Sequence, residues 1–376
     1  MKSYDTIVIG IGGMGSSALY QLAKRGQRVL GIERFDLGHS MGSSHGINRI
    51  IRLAYFEHPN YVPLLRRAYE LWRETEAAYG EQLLFVTGGI DAGLPDSRVV
   101  TGSLEACREH DLPHEVLTSA ETTRRFPGYR LPEDFSVVYQ PDGGFVASER
   151  AIMAHATLAI ASGAEIHARE KVLGIEPKGG QVEVVTDKGR YEAGRVIVSS
   201  GAWIGDLIQE LQTKAVPERQ VLGWFLPEKP EHFRPDNFPV SNILTDVGHF
   251  YQFPSWGIPG FKIGLYHHFN ETGHADSLSR EPTAADEDAL RRGIRLMFPE
   301  ADGPTLRLAA CLFTNTVDEH FVIDTLPGAP EVVVASPCSG HGFKFASVIG
   351  EVLAELATAG QSRHDLSLFR MERLEA

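Results

Sequence analysis

The sequence predicts an α/β fold combined with α+β structure: a unit of parallel strands and helices, interleaved with a second, mainly antiparallel unit. Three observations carry this. A strand, a cluster of glycines and a helix follow one another at the start of the chain. Similar strand-and-helix stretches return in the middle and at the end. The two long stretches between them show turns and short alternating runs instead. At 376 residues the chain exceeds one typical core, so about two domains are expected.

The elements follow in order. Residues 4–10 read as a strand. MGSSALYQLAKR (14–25) reads as a helix with Ala18, Leu19, Leu22 and Ala23 on one face, ended by Gly26. RVLGIE (28–33) is the next strand, completing a βαβ unit. Residues 60–79 carry Tyr61, Leu64, Leu65, Ala68, Leu71 and Trp72 at helical spacing. Residues 82–140 are rich in turns. The stretch 148–166 reads as a helix leading into a strand, with Ser148 as its cap and Gly163 as its stop. Residues 171–203 hold three or four short strands, with hairpin character in DKGRYEA. Residues 216–315 lack helical periodicity apart from 284–298. EVVVASPCSGHGFKFASVIGEVLAELA (331–357) is a strand, a glycine turn and a helix. The simplest assembly joins 1–83, 145–215 and 318–376 into one nucleotide domain, and 84–144 with 216–317 into a second, substrate-bearing domain.

Composition narrows the function. A net charge of −13 argues against non-specific nucleic-acid binding and against an anionic membrane surface as partner. Cys107, Cys311 and Cys338 are far apart and odd in number, so neither a disulfide framework nor a CxxC metal site is expected. No apolar run of about 20 residues could span a bilayer. Met1 leads straight into the first strand with no leader before it, and the expected compartment is a reducing cytoplasm.

The glycine cluster has the form Gly10-x-Gly12-x-x-Gly15, with Gly13 inside it. Gly10 permits a tight turn, Gly12 lets a pyrophosphate approach the backbone, and Gly15 lets the helix pack closely. The helix start then offers free N–H groups and partial positive charge to an anion. Glu33 ends the second strand, where a carboxylate accepts ribose hydroxyls and repels a 2′-phosphate. A Rossmann-type dinucleotide site is therefore expected. These residues alone do not choose between FAD and NAD.

Further along, SSHGINRIIRLAY (43–55), FKIG (261–264), VSSGAW (198–203), CLFTNTVDEHFVID (311–324) and SGHGFKF (339–345) appear in this sequence. In content and order they resemble the monomeric sarcosine oxidase and N-methyltryptophan oxidase family over nearly the whole chain. The resemblance implies FAD, held covalently by a thioether from Cys311 to the 8α-methyl of the flavin, with Cys338 as the alternative. It implies Arg49 against the flavin, and Arg52 with Lys344 on the substrate carboxylate. His341 would sit near the flavin, with a helix from near Gly342 pointing its positive end at the ring. Lys262 would stand over the flavin and promote its reaction with O2. Tyr251 would line the substrate pocket. A pocket histidine should follow Lys262. GLYHHF carries an apparent extra residue there, which leaves His267, the preferred match, and His268. Asn48 stands where Thr is common in the family.

The same resemblance assigns Met14, Arg34, Ser43 and Ser44 to the cofactor alongside Gly10, Gly12, Gly13, Gly15 and Glu33. It adds Val172, Ser200, Gly201 and Trp203 from the middle segment, and Gly340, His341, Gly342, Phe343 and Lys344 from the last. The implied reaction is oxidative demethylation of sarcosine or a related N-methyl amino acid by a monomeric enzyme, with O2 reduced to H2O2 and formaldehyde released. Other carboxylate-bearing amines on the same fold (proline or pipecolate, glycine, a D-amino acid, a glycated amine) stay open. So do an NAD-dependent dehydrogenase and a non-catalytic flavin- or nucleotide-binding module.

Overall fold

A computed structural model describes residues 2–375. Its first sheet is built on the apolar strand Lys2–Ile9, which pairs in parallel with Val29–Ile32 on one side and Arg190–Val198 on the other. Glu165–His167 extends the sheet beyond Val29–Ile32, again in parallel. Arg190–Val198 divides its length between two partners. Its first half closes an antiparallel meander with Val172–Lys178 and Gln181–Thr186, and its second half pairs in parallel with Ala329–Ser336. Segments far apart in sequence thus meet in one sheet.

Three helices pack over one face of that sheet. Gly13–Lys24 lies against Ser148–Ala161 and Ala346–Ala359. The apolar positions Ala18, Leu19 and Leu22 are fully buried among Val348, Ile349 and Val352. Val62–Tyr79 joins this layer through Leu64, Leu65, Ala68 and Trp72, and ends at Gly80 in the left-handed conformation. Burying such side chains contributes about 1.5–3 kcal/mol each, which is why these helices sit on the sheet despite interruptions in the chain between them.

The second sheet runs Thr305–Asn315, Val216–Phe225, Phe261–Leu265, Gly248–Phe253, Val240–Thr245, Gly89–Gly93, Ser136–Gln140 and Glu115–Thr118. Every pairing is antiparallel except that of Val240–Thr245 with Gly89–Gly93. Helix Ala284–Met297 covers it and buries Leu290, Ile294 and Met297 against Phe225, Phe250 and Phe261. A small antiparallel sheet of Asn48–Ile51, Gly144–Ala147 and Leu84–Val86 is formed from the segments that lead between the two large sheets.

Two helices lie where only turns and short alternating runs are expected. Arg98–Glu109 carries Val99, Val100, Thr101 and Gly102, all weak helix formers, so its periodicity is faint. Burial of Val99, Val100 and Ala106 and the bond from Ser103 Oγ to the buried Asp91 hold it helical. Ser119–Arg125 is announced by a capping box, in which Thr118 and Glu121 satisfy each other's backbone N–H groups. Ser148 is the first helical residue of its helix rather than the cap, and its hydroxyl bonds Glu149.

Candidate active site

A cleft of about 1600 Å³, counting solvent at its mouth, runs from the glycine turn to the second sheet. At one end Gly10 turns the chain with φ +87° between the first strand and its helix. A Cβ on Gly15 would lie 1.8 Å from the Gly10 carbonyl oxygen. Gly15 therefore serves helix packing and stands outside the cleft wall, while Gly10, Gly12, Gly13 and Met14 form it. Glu33 is buried and lines the same end. Its two oxygens accept from the Ile11 and Phe35 N–H groups, both at 2.9 Å, which fixes the carboxylate plane. Arg34 lies over the rings of Phe35 and Trp203 and pairs with Asp276. Ser44 Oγ accepts from Gly13 N–H at 3.3 Å. The hydroxyls of Ser43 and Ser200 are buried with no partner among the described residues, although both residues line the cleft. Buried hydroxyls are normally bonded, so these two point to a polar ligand. Val172, Gly201 and Trp203 complete this end.

Cationic and sulfur groups gather along the rest. Arg49, on the strand Asn48–Ile51, donates to the carbonyls of Ser43, His45 and Asn48 and faces the cleft. Cys311, on Thr305–Asn315, is 2% exposed yet lines the cleft. Burial pushes its thiol up, while Arg49 and Lys262 draw it down. Gly340, His341, Gly342, Phe343 and Lys344 form the opposite wall. A Cβ at Gly342 would lie 1.5 Å from the Pro337 carbonyl oxygen, so the turn closes only with glycine there. It leads through Phe343–Phe345 into helix Ala346–Ala359, whose positive end thereby meets the cleft.

Lys344 is buried, and desolvation with Arg52 nearby brings its ammonium down to about 7. Lys262 lies behind the cleft wall. Its Nζ donates to Gly46 O, Asn48 O and Asn48 Oδ1 at 2.7–2.8 Å, one acceptor for each ammonium proton. Burial, with Arg49, holds this ammonium well below the usual lysine range, and Glu149 and Cys311 oppose them; the three acceptors favour the charged form. Phe253 and Trp224 present their ring faces to it. The departure at Asn48 thus has a use, since its side-chain oxygen is one of those three acceptors. Tyr251 is buried in the cleft wall.

Both candidates for the pocket histidine are placed elsewhere. His267 is outside the cleft wall, because Glu218 and Glu319 hold its two ring nitrogens at 3.0 and 2.9 Å. His268 is buried against Asp286 at 2.8 Å and also lies outside. The residue that reaches the cleft is Tyr266, which packs on Tyr251, Phe313 and His249. The strand Phe261–Leu265 puts alternate residues on one face, so counting in twos from Lys262 arrives at Tyr266 and removes the apparent insertion. Arg52 is likewise not free. Its Nη2 donates to both oxygens of Glu57 at 2.9 and 2.8 Å, with Asp91 3.8 Å from Nε, and it does not line the cleft. Glu57 and Tyr55, the residues that engage Arg52 and Lys344, were not singled out by the sequence. Tyr55 ends the RIIRLAY stretch and Glu57 lies two residues beyond it, which is the available signal.

Comparison with known proteins now joins this geometry. The family model described as FAD dependent oxidoreductase matches residues 5–356. The chain belongs to that FAD-dependent oxidoreductase family. It is 41% identical to the monomeric sarcosine oxidase of Streptomyces avermitilis over 100% of this chain and 98% of that protein. It is 39% identical to the monomeric sarcosine oxidase of a Bacillus species (98% and 96%), and 34% identical to the N-methyl-L-tryptophan oxidase of Yersinia pestis (98% and 99%). Among solved structures, NikD, an amino acid oxidase of nikkomycin biosynthesis, superposes with a TM-score of 0.86 at 26% identity, covering 98% of each chain. The family member described here is thus an FAD-dependent amine oxidoreductase, which excludes the NAD-dependent and non-catalytic readings. The cleft fits FAD: a glycine turn for the pyrophosphate, a fixed Glu33 for the ribose, and orphaned hydroxyls at Ser43 and Ser200. Among the described residues no helix is long and apolar enough to cross a membrane.

Proposed function

We propose that this enzyme oxidises sarcosine or a related N-methyl amino acid at the N-methyl carbon, acting as a monomer with O2 as the final acceptor. The products are formaldehyde, the demethylated amino acid and H2O2. The observation that carries the reading is Lys344, a buried ammonium in the cleft wall with two protein acceptors for its three protons. A buried N–H left over in this way suits a carboxylate. The relatives' names support the same substrate class.

FAD, when bound, supplies the two-electron acceptor for the hydride equivalent leaving the methyl carbon. This chain's residues do the rest. Lys344 holds the carboxylate and so fixes which carbon of the amine lies deepest. With Arg52 tied to Glu57, Lys344 is the cation that takes the carboxylate first. Tyr251, Tyr266 and Phe313 give the methyl end an apolar wall that excludes water. Arg49 and Lys344 together disfavour a further positive charge, so the substrate ammonium is pushed to release its proton before oxidation. Lys262, held as an ammonium by three carbonyl-type oxygens, serves the oxygen step as a fixed positive charge beside Arg49. Cys311 is the sulfur through which we propose FAD is covalently attached, favoured over Cys338 by cations that offset part of the upward push of burial on its thiol, where Cys338 has burial alone.

The test is peroxide release by the FAD-loaded protein across sarcosine, larger N-methyl amino acids, proline, pipecolate and glycine. Turnover of N-methyl amino acids with stoichiometric formaldehyde supports the reading. Activity confined to proline, pipecolate or glycine replaces it. For attachment, yellow colour that stays with the acid-precipitated protein, and a flavin mass on the Cys311 peptide, are the expected results.

A further inference from the structure

Two buried acceptors organise Lys344, and the second can accept only if its own proton points elsewhere. Lys344 Nζ donates to the His341 carbonyl at 2.7 Å and to the Tyr55 hydroxyl oxygen at 3.4 Å. The direction of the Tyr55 proton follows from His341. His341 Nε2 lies 3.0 Å from the Glu319 main-chain carbonyl. A carbonyl only accepts, so the proton of this ring is on Nε2. Burial lowers His341 to about 4, against Glu57 and with Lys344 and Arg52 adding in the same direction, so the ring is neutral and Nδ1 carries a lone pair. Tyr55 Oη stands 2.6 Å from that Nδ1 and donates to it, the His341 carbonyl being a longer acceptor at 3.3 Å. Burial keeps the phenol protonated. The lone pairs of Tyr55 are then left for Lys344.

The far end of this chain is anchored. Glu319 has φ +61°, and its carboxylate is held by His267 Nε2 at 2.9 Å with Arg98 at 3.8 Å. His267 is raised to about 10 by Glu218 and Glu319 and so donates on both sides. The residue first sought as a pocket histidine thus fixes the carbonyl that sets the His341 tautomer.

We propose that Tyr55 is a positioning residue for Lys344. Its hydroxyl, oriented by the Glu319 carbonyl through neutral His341, accepts from the ammonium and turns the remaining N–H toward the substrate carboxylate. This rests on the reading of Lys344 as the carboxylate's cation. The charged groups facing Lys344 are Arg52, Glu57 and Asp91, and none of them supplies that orientation by a direct bond to Nζ.

The experiment uses butanoate, sarcosine's outline with CH2 in place of NH, titrated into the FAD-loaded enzyme by calorimetry from about pH 6 to 9. In Tyr55→Phe the Kd rises about tenfold near neutral pH. The pH at which binding is lost moves down, because the ammonium has lost an acceptor that stabilises it. KM for the amine rises while kcat stays within about twofold, and the flavin spectrum is unchanged. Tyr61→Phe is the control. Its ring packs on Tyr55 at 5.0 Å but its hydroxyl faces His320, so butanoate binding is unaltered. A Tyr55→Phe enzyme with unchanged Kd and unchanged pH midpoint overturns the proposal. Should that variant not fold, ¹⁵N-histidine NMR of the native holoenzyme decides: a proton on His341 Nε2 supports the chain, and one on Nδ1 overturns it. Butanoate binding that survives Lys344→Met removes the reading of Lys344 itself, whereas failure confined to Tyr55→Phe removes only this proposal.

Discussion

Lys262 and Lys344 show how acceptors, more than burial, divide the work between two lysines of similar exposure. All three protons of Lys262 are taken by oxygens, so it has none to offer a substrate, which suits the proposed role of a fixed charge. In Lys262→Met we expect flavin re-oxidation by O2 to slow by more than about a hundredfold while flavin reduction by the amine changes far less. Stopped-flow traces of the two half-reactions check this, and equal slowing of both would contradict the role. Lys344, brought down to about 7, is charged below that pH and neutral above it. Carboxylate binding to the free enzyme is therefore present at lower pH and is lost as pH rises through about 7, about tenfold per pH unit beyond it. The substrate amine titrates in the opposite sense, since its neutral form reacts. The product of the two is a bell in kcat/KM against pH, and a monotonic rise would show that Lys344 is not the carboxylate's cation. What the residues announced and what they hid follows the same division. Cys311, Arg49 and Lys344 carried context in short motifs and reach the cleft. Arg52 carried equal context, but its carboxylate partner Glu57 cannot be foreseen from spacing. A pocket histidine sought by its distance from Lys262 alone falls on His267 or His268, whereas the strand's alternation passes through Gly264 to Tyr266.

Elements differ in how clearly they are written. The helix Gly13–Lys24 and the last helix, Ala346–Ala359, were legible because strong apolar periodicity is bounded by glycine. Arg98–Glu109 was hidden because its β-branched residues and Gly102 weaken the local signal, and the fold alone keeps it helical. Gly102 is itself required there, as a Cβ would lie 2.5 Å from the Phe56 carbonyl oxygen. Ser119–Arg125 carries a readable capping box in TSAE, but its seven residues are too few to show a helical period. The glycine turns make a sharper prediction at this scale. Gly342 and Gly163 are both turn glycines, but Gly163 has φ +95° with open space around it, whereas Gly342 has ordinary φ and backbone oxygen at 1.5 Å from any Cβ. Gly163→Ala should cost about 1–2 kcal/mol from left-handed strain alone. Gly342→Ala must move the Pro337–Gly342 turn, and we expect a loss of about 3 kcal/mol or more together with weakened flavin retention. Denaturant midpoints and flavin content of the two purified variants give the comparison, and equal effects would mean that the turn has more room than its geometry indicates.

At the scale of the molecule, the cleft is walled by segments from both large sheets, so its ligand and the fold are thermodynamically linked. Residues 10–44 and 337–344 come from the first sheet's connections, and Tyr251, Cys311 and Phe313 from the second sheet. A ligand bound across them stabilises the assembled state and not the unfolded chain. Under the proposed attachment, Cys311 decides whether that linkage depends on concentration. With FAD attached by sulfur, the ligand cannot leave, and the unfolding midpoint of the native enzyme should be independent of added FAD. In Cys311→Ala the site geometry is kept but the tether is gone. Each tenfold increase in free FAD above its Kd should then add about 1.4 kcal/mol to the stability of the folded state. Melting curves of both proteins across a range of FAD concentrations make the test. A native enzyme whose midpoint climbs with added FAD as steeply as the variant's would rule out a covalent link through Cys311. A variant indifferent to FAD would show that the cleft cannot hold the cofactor without it. The expected contrast, flat for one and rising for the other, assigns to one buried sulfur the difference between a cofactor in exchange with solution and one that belongs to the fold.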